Sequence, residues 1–178
     1  MSFIRRKSKR ITHTKKAEQN LKFILTTSDM SLLKLCVKNT NEMGRGVFCT
    51  SSIQKGDYVL EYRGTRLNEQ ESKTRHNEIG DTGIINILDS FINFIYHIGY
   101  IFWFKNDGKW ICIDATSESS HPGRLVNHSK KRPNLLVKCI KTRLFFVALD
   151  NIKAGSQLLF DYNDNRPDVI NENIWMKN

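Results

Sequence analysis

Acidic residues are scarce in this chain, and its first stretch has none. The 178 residues hold 28 Lys and Arg against 18 Asp and Glu, a formal net charge of +10. The opening MSFIRRKSKRITHTKK carries Arg5, Arg6, Lys7, Lys9, Arg10, Lys15 and Lys16 without a single acid. Such an excess predicts an anionic partner, and a block this dense reads as a disordered arm suited to phosphate contact or nuclear import. The arm also lacks the apolar core of a secretory signal, so a secreted protein is not expected.

Other absences remove further classes. The four cysteines, Cys36, Cys49, Cys112 and Cys139, form no CxxC pair, which argues against a zinc cluster and a disulfide framework and for reduced, buried thiols. No stretch is long and apolar enough to span a membrane; IINILDSFINFIYHIG (84–99) is too short and is broken by Asp and Asn. There is no GxSxG elbow, no HExxH and no Walker pattern. Gly44-Arg45-Gly46 begins like a dinucleotide loop, but Cys49 stands where its third glycine belongs. His76-x-Glu78 lacks the PCxxC half of a deaminase site, and no metal site is expected.

What is present is a succession of short strand patterns. A helix is predicted over 14–27, with Ala17, Leu21, Ile24 and Leu25 near one face. LKLCVK (33–38), GVFCT (46–50) and DYVLEYRG (57–64) read as strands punctuated by glycine turns. Asn68 followed by Glu71 resembles a capping box opening a helix in NEQESKTRHNE. YIFWFK-NDG-KWICID (100–114) predicts a hairpin, and NLLVKCI, RLFFVAL and SQLLF predict three more strands. The spacing of Ile84, Ile87, Leu88, Phe91, Ile92 and Ile95 predicts an amphipathic helix over 84–99. The sum is one mostly-β domain with short helices. Asn127-His128-Ser129 fits a glycosylation acceptor, a metal ligand or a hydrolase residue only weakly. Residue reasoning alone stops at a nuclear binding module or a small enzyme.

Four pieces in fixed order carry more: GRGVF (44–48), DYVLEYRG (57–64), GRLVNHS (123–129) and LLFDYND (158–164). Together they resemble the SET domain of protein lysine methyltransferases, a β-clip fold of small sheets with a knot-like C-terminal active site. The resemblance is to the compact PR-SET type that methylates a histone-four tail lysine in nucleosomes. It divides the chain into a basic disordered arm (1–16), a flanking helix (17–30), the SET domain (31–164) and a closing segment (165–178). Residues 84–99 stand out as an insertion, either a lineage-specific helix or a gene-model error.

The resemblance implies S-adenosylmethionine as methyl donor, held by Met43, Gly44, Arg45, Tyr100, Asn127, His128 and Trp175. It implies that Tyr162 faces the transfer point, that Tyr62 forms a second wall of the lysine channel, and that Phe160 sets how many methyl groups are added. Relatives that stop at one methyl carry Tyr at the Phe160 position, so a product beyond monomethyl-lysine is expected here. It implies a monomer in the nucleus and on the chromosome. The partners would be a histone tail within nucleosomes, and nucleosomal DNA or a histone acidic surface reached through residues 5–16. The strand YIFWFK is the expected edge for tail pairing. The competing reading is a catalytically silent SET module that binds nucleosomes or DNA through the arm.

The chemistry asks for such a site. Neutralising a free lysine at pH 7 costs roughly 3.4 pKa units, about 4.6 kcal/mol. An apolar, aromatic channel lowers that cost by desolvation, and alignment of the amine behind the methyl carbon meets much of the rest.

Overall fold

The computed structural model describes residues 15–79, 95–98, 100–106, 109–117 and 121–162. Helix α1 covers 15–26. Lys15 and Lys16 therefore belong to a helix rather than to the expected disordered arm, and Lys16 Nζ ion-pairs Asp57 at 3.1 Å. The helix ends short of residue 30. Thr26 Oγ1 donates back to the Phe23 carbonyl at 3.0 Å, and Asp29 Oδ1 accepts the Ser31 N–H at 2.8 Å, an alternative to helical bonding.

Eleven strands follow among the described residues. β1 (Leu35–Thr40) and β2 (Gly44–Cys49) form an antiparallel hairpin. β3 (Tyr58–Tyr62) and β4 (Thr65–Leu67) lead into helix α2 (Glu69–Ile79). α2 starts on a reciprocal cap: the Glu71 N–H donates to Asn68 Oδ1 at 2.9 Å, and the Asn68 N–H donates to Glu71 Oε2 at 2.8 Å. β5 (Ile95–Ile98), β6 (Ile101–Asn106) and β7 (Lys109–Asp114) come next. A 3-10 turn (Pro122–Leu125), β8 (Asn127–His128), β9 (Leu135–Ile140), β10 (Arg143–Ala148) and β11 (Leu159–Phe160) complete the order.

The strands make three small sheets: β1-β2, β4-β7-β6-β5 and β3-β10-β9-β11-β8. In the last, β11 runs parallel to both β8 and β9 and lies between them, although those two strands are consecutive in the chain. Threading a late strand between two earlier neighbours is the topological basis of a knot-like site. β10, an interior strand between β3 and β9, is apolar on both faces as RLFFVA, and all but Arg143 of its residues are buried. Its Phe146 joins Phe102, Tyr62 and Phe160 in the core.

Two expectations fail between residues 95 and 104. Ile95–Ile98 is a strand, antiparallel to β6 from Ile95↔Phe104 to Ile98↔Ile101, and not the end of a helix. A β-branched and aromatic run beside an open strand gains a ladder of backbone hydrogen bonds, which outweighs apolar spacing compatible with a helix. Residues 84–94 and 99 lie outside the described residues. As a consequence β6 is interior, flanked by β7 and β5, so YIFWFK is not the open edge that tail pairing would require.

Candidate active site

Three segments distant in sequence converge on one cavity. The first is the turn from β1 to β2, clamped by one hydroxyl: Thr40 Oγ1 accepts the Met43 N–H at 2.9 Å and donates to the Gly44 carbonyl at 2.8 Å. Gly44 enters β2 at φ 65°, in the left-handed region that favours glycine, with nothing within 4 Å of the place a Cβ would take. Backbone is thus presented bare to the cavity.

The second segment is the 3-10 turn with β8. Gly123 lies so close to β3 that a Cβ would stand 2.6 Å from the Glu61 carbonyl oxygen, so only glycine lets this turn seat there. Two residues past the turn, Asn127 Nδ2 donates to the Arg45 carbonyl at 3.2 Å and ties the second segment to the first.

The third segment follows β11. The Tyr162 N–H donates to His128 Nδ1 at 3.1 Å, and the Tyr162 hydroxyl donates to the Val126 carbonyl at 2.8 Å. An imidazole accepting at Nδ1 carries its proton on Nε2 when neutral. His128 is therefore a clamp between β8 and the chain after β11, with Asp161 Oδ1 at 3.9 Å, beyond hydrogen-bond reach.

The cavity measures about 1010 Å³. Met43, Gly44 and Arg45 line it, as do Asn127 and His128, and so do Tyr100 and Tyr162. Tyr62 and Phe160 do not. They are buried behind it: the Phe160 ring is 4.5 Å from Tyr162 and 5.6 Å from Phe102, and Phe102 is 4.5 Å from Tyr62. Trp175 lies outside the described residues. Burial pushes the phenols of Tyr62 and Tyr162 well above the ordinary tyrosine range, with Tyr162 adding to the effect on Tyr62, and Tyr100 to the effect on both. Both hydroxyls are neutral at physiological pH. Tyr162, at the cavity wall, can orient a ligand by hydrogen bonds, and neither phenol can act as a tyrosinate base.

Sequence reasoning overlooked Glu42, Arg124 and Gln157, which also line the cavity. Arg124 Nε and Gln157 Nε2 are buried without a hydrogen-bond partner among the described residues. Donors left unpaired at a cavity wall fit a ligand rich in acceptors, and S-adenosylmethionine, with its carboxylate, ribose hydroxyls and purine nitrogens, is such a ligand. The residues present fit that group. Arg124 stands inside the GRLVNHS motif and could have been singled out as a cation among apolar neighbours; nothing in the sequence marks Gln157. Tyr100 holds a non-glycine φ of 75° just before β6, and its ring sits 4.0 Å from the Arg124 guanidinium carbon.

The SET domain family matches residues 44–163, more than half of the chain. Histone-lysine N-methyltransferase set-1 of Caenorhabditis elegans is 35% identical over 139 residues, covering 76% of this chain and 52% of that protein. N-lysine methyltransferase KMT5A-A of Danio rerio is 36% identical over 140 residues, 75% of this chain and 36% of that one. Among solved structures, CpSET8 from Cryptosporidium gives a TM-score of 0.56 at 37% identity over 75% of this chain and 59% of its own. The chain spans about half the length, or less, of the curated relatives it matches.

Proposed function

We propose, starting from the fact that the chain belongs to the SET-domain family, that it transfers a methyl group from S-adenosylmethionine to a lysine side chain of a histone tail. The finer reading is the histone-four tail lysine in nucleosomes, methylated beyond the monomethyl state by a monomer acting on chromosomes in the nucleus. One observation carries the proposal: the Gly44 turn, the Asn127-His128 pair and Tyr162 line a single cavity, although they come from separate parts of the chain. The names of set-1 and KMT5A-A support the lysine and histone parts of it.

S-adenosylmethionine supplies, when bound, a methyl carbon made electrophilic by its sulfonium. The backbone at Gly44, the Asn127 side chain and the Gln157 side chain are the groups that would hold it, and Trp175 is assigned to its adenine. The ring cluster of Tyr62, Phe102 and Phe160 keeps the region beside Tyr162 dry, which disfavours an ammonium and favours a neutral amine. The Tyr162 hydroxyl directs its proton to the Val126 carbonyl, so its oxygen is left as an acceptor that can orient the amine. The amine proton goes to solvent.

Mass spectrometry of recombinant nucleosomes incubated with the protein and S-adenosylmethionine tests the whole reading. Methyl groups on a histone-four lysine are the expected result. Saturable cofactor binding with no methylated histone would instead identify a silent SET module held on chromatin by its basic arm.

A further inference from the structure

Arg124 carries a charge for which the roles above give no reason. It sits in the 3-10 turn, 8% exposed, on the wall of the cavity. One of its nitrogens, Nη2, donates to the Thr116 carbonyl at 3.1 Å, while Nε is buried and unpartnered. Among the described residues no carboxylate ion-pairs with it. Glu61 is taken by Arg63 and Arg143, and Asp114 is held by Arg75 at 3.0 Å while accepting the Thr116 N–H at 2.7 Å. Burying a cation without a counter-ion is unfavourable.

We infer that Arg124 sets the charge state of the target lysine: its uncompensated positive charge disfavours the ammonium in the channel and holds the amine as the neutral nucleophile. This rests on the methyl-transfer reading. The groups facing this region are Tyr62 on β3, Tyr100 before β6, Asp114 on β7, His128 on β8 and Tyr162 after β11; Glu42, Arg45, Lys131 and Arg132 line the wider cavity. The Tyr62 and Tyr162 phenols are neutral and Asp114 is matched by Arg75, while the Arg124 guanidinium carbon stands 4.0 Å from the Tyr100 ring on the same cavity wall. Its field reaches the Tyr62 phenol: burial raises that phenol, and Arg124 draws it part of the way back.

The step balances. An ammonium first gives a proton to solvent; the amine lone pair then forms the C–N bond while the C–S bond breaks with its electrons to sulfur. Deprotonation removes a whole charge from the field of Arg124, whereas transfer only moves a charge from sulfur to nitrogen. The guanidinium therefore helps the first step more than it hinders the second.

The pH dependence of kcat on saturating recombinant nucleosomes, which reports ionisations in the enzyme–substrate complex, tests this with the full chain. Arg124→Gln should move the acid limb up by about one unit, a loss of roughly tenfold at pH 7 that disappears at high pH. Arg124→Lys, which keeps the charge, should leave the limb in place. Loss by the same factor at every pH in both variants would overturn the inference in favour of a structural arginine. A second readout needs no turnover: a thiol placed by Tyr162→Cys, its pKa read from alkylation rates, should rise by about one unit when Arg124→Gln is added. An unmoved thiol overturns the inference. A shifted thiol in the Tyr162→Cys background, together with a wild-type protein that never methylates, would overturn the methyl-transfer reading and leave the field of Arg124 standing.

Discussion

Tyr162 acts through two atoms that mutation can separate. Its backbone N–H fixes the His128 ring, while its hydroxyl reaches Val126. Tyr162→Phe keeps the backbone bond and the ring packing and removes only the hydroxyl. Calorimetry should find S-adenosylmethionine affinity nearly unchanged and stability lower by about 1 kcal/mol, the scale of one missing hydrogen bond. The turnover number should fall about a hundredfold, the scale for one preorganised group at a reacting centre; a wild-type kcat would mean the hydroxyl has been given the wrong role. Phe160 is a subtler case. It is 4% exposed, with rings of Phe102, Phe146 and Tyr162 around it. Phe160→Tyr adds a hydroxyl beside Tyr162 that can retain a water in the channel and deny a methylated amine room to turn. Wild type should yield dimethyl-lysine and Phe160→Tyr only monomethyl-lysine at long reaction times. Monomethyl product alone from wild type would refute the switch. Placing the hydroxyl among rings should also lower stability by about 1–3 kcal/mol if it finds no partner.

At the scale of elements, one charged cluster ties α1, β3, β10 and the 3-10 turn together. Arg63 donates to the Ile24 carbonyl at the end of α1 at 2.9 Å, to Glu61 at 2.6 Å, and meets His121 Nε2 at 3.0 Å just before the turn. Arg143 of β10 binds Glu61 from the other side at 2.6 Å. Burial and then the charge of Arg63 hold the His121 pKa below its ordinary value, with Glu61 opposing. A histidine depressed in the folded state takes up its proton more readily when unfolded. Its contribution to stability is thus full above the ordinary value of about 6.5 and is lost as pH falls through the lower folded value. Denaturation measured from about pH 8 down to about pH 5 should show a loss of stability that His121→Gln removes; equal slopes in both proteins would take His121 out of the cluster's energetics. Glu61 and Asp114, whose pKa values lie below the ordinary carboxylate range because their arginine and Thr116 partners outweigh burial, act lower on the scale, where acid removes their contribution. The start of α2 and the β6–β7 hairpin could be read from sequence because their determinants are adjacent: Asn68 and Glu71, or two β-rich runs across a glycine turn. β5 could not, because the partner that selects strand over helix is β6 and not anything within residues 84–98. The same divide runs through the site. Gly44, Arg45, Asn127, His128 and Tyr162, all within the ordered motifs, line one cavity, as do Met43 and Tyr100 outside them. Arg124 and Gln157 matter through burial without a partner, which only the folded chain creates.

Across the whole molecule, the charge of +10 is unevenly distributed. Lys16 is engaged inside the fold by Asp57, and Arg63, Arg75 and Arg143 are engaged by Glu61 and Asp114. Arg5, Arg6, Lys7, Lys9 and Arg10 lie ahead of the described residues and form the block with no acid among them. If that block binds nucleosomal phosphate, neutralising all five should lower activity on nucleosomes and flatten its dependence on salt. Every phosphate no longer neutralised by the arm reduces the slope of log affinity against log salt by about 0.9, so the change approaches roughly four to five units when every cation is engaged. A slope change well below that would point to a histone acidic surface instead. Activity on a free histone-tail peptide should be spared, since the peptide carries no duplex phosphate. Lys16→Gln is the contrasting variant: it breaks the Asp57 pair and should lower stability while leaving the salt slope alone. An equal loss on nucleosomes and peptide after neutralising the five would mean that the arm supports the fold and does not read chromatin.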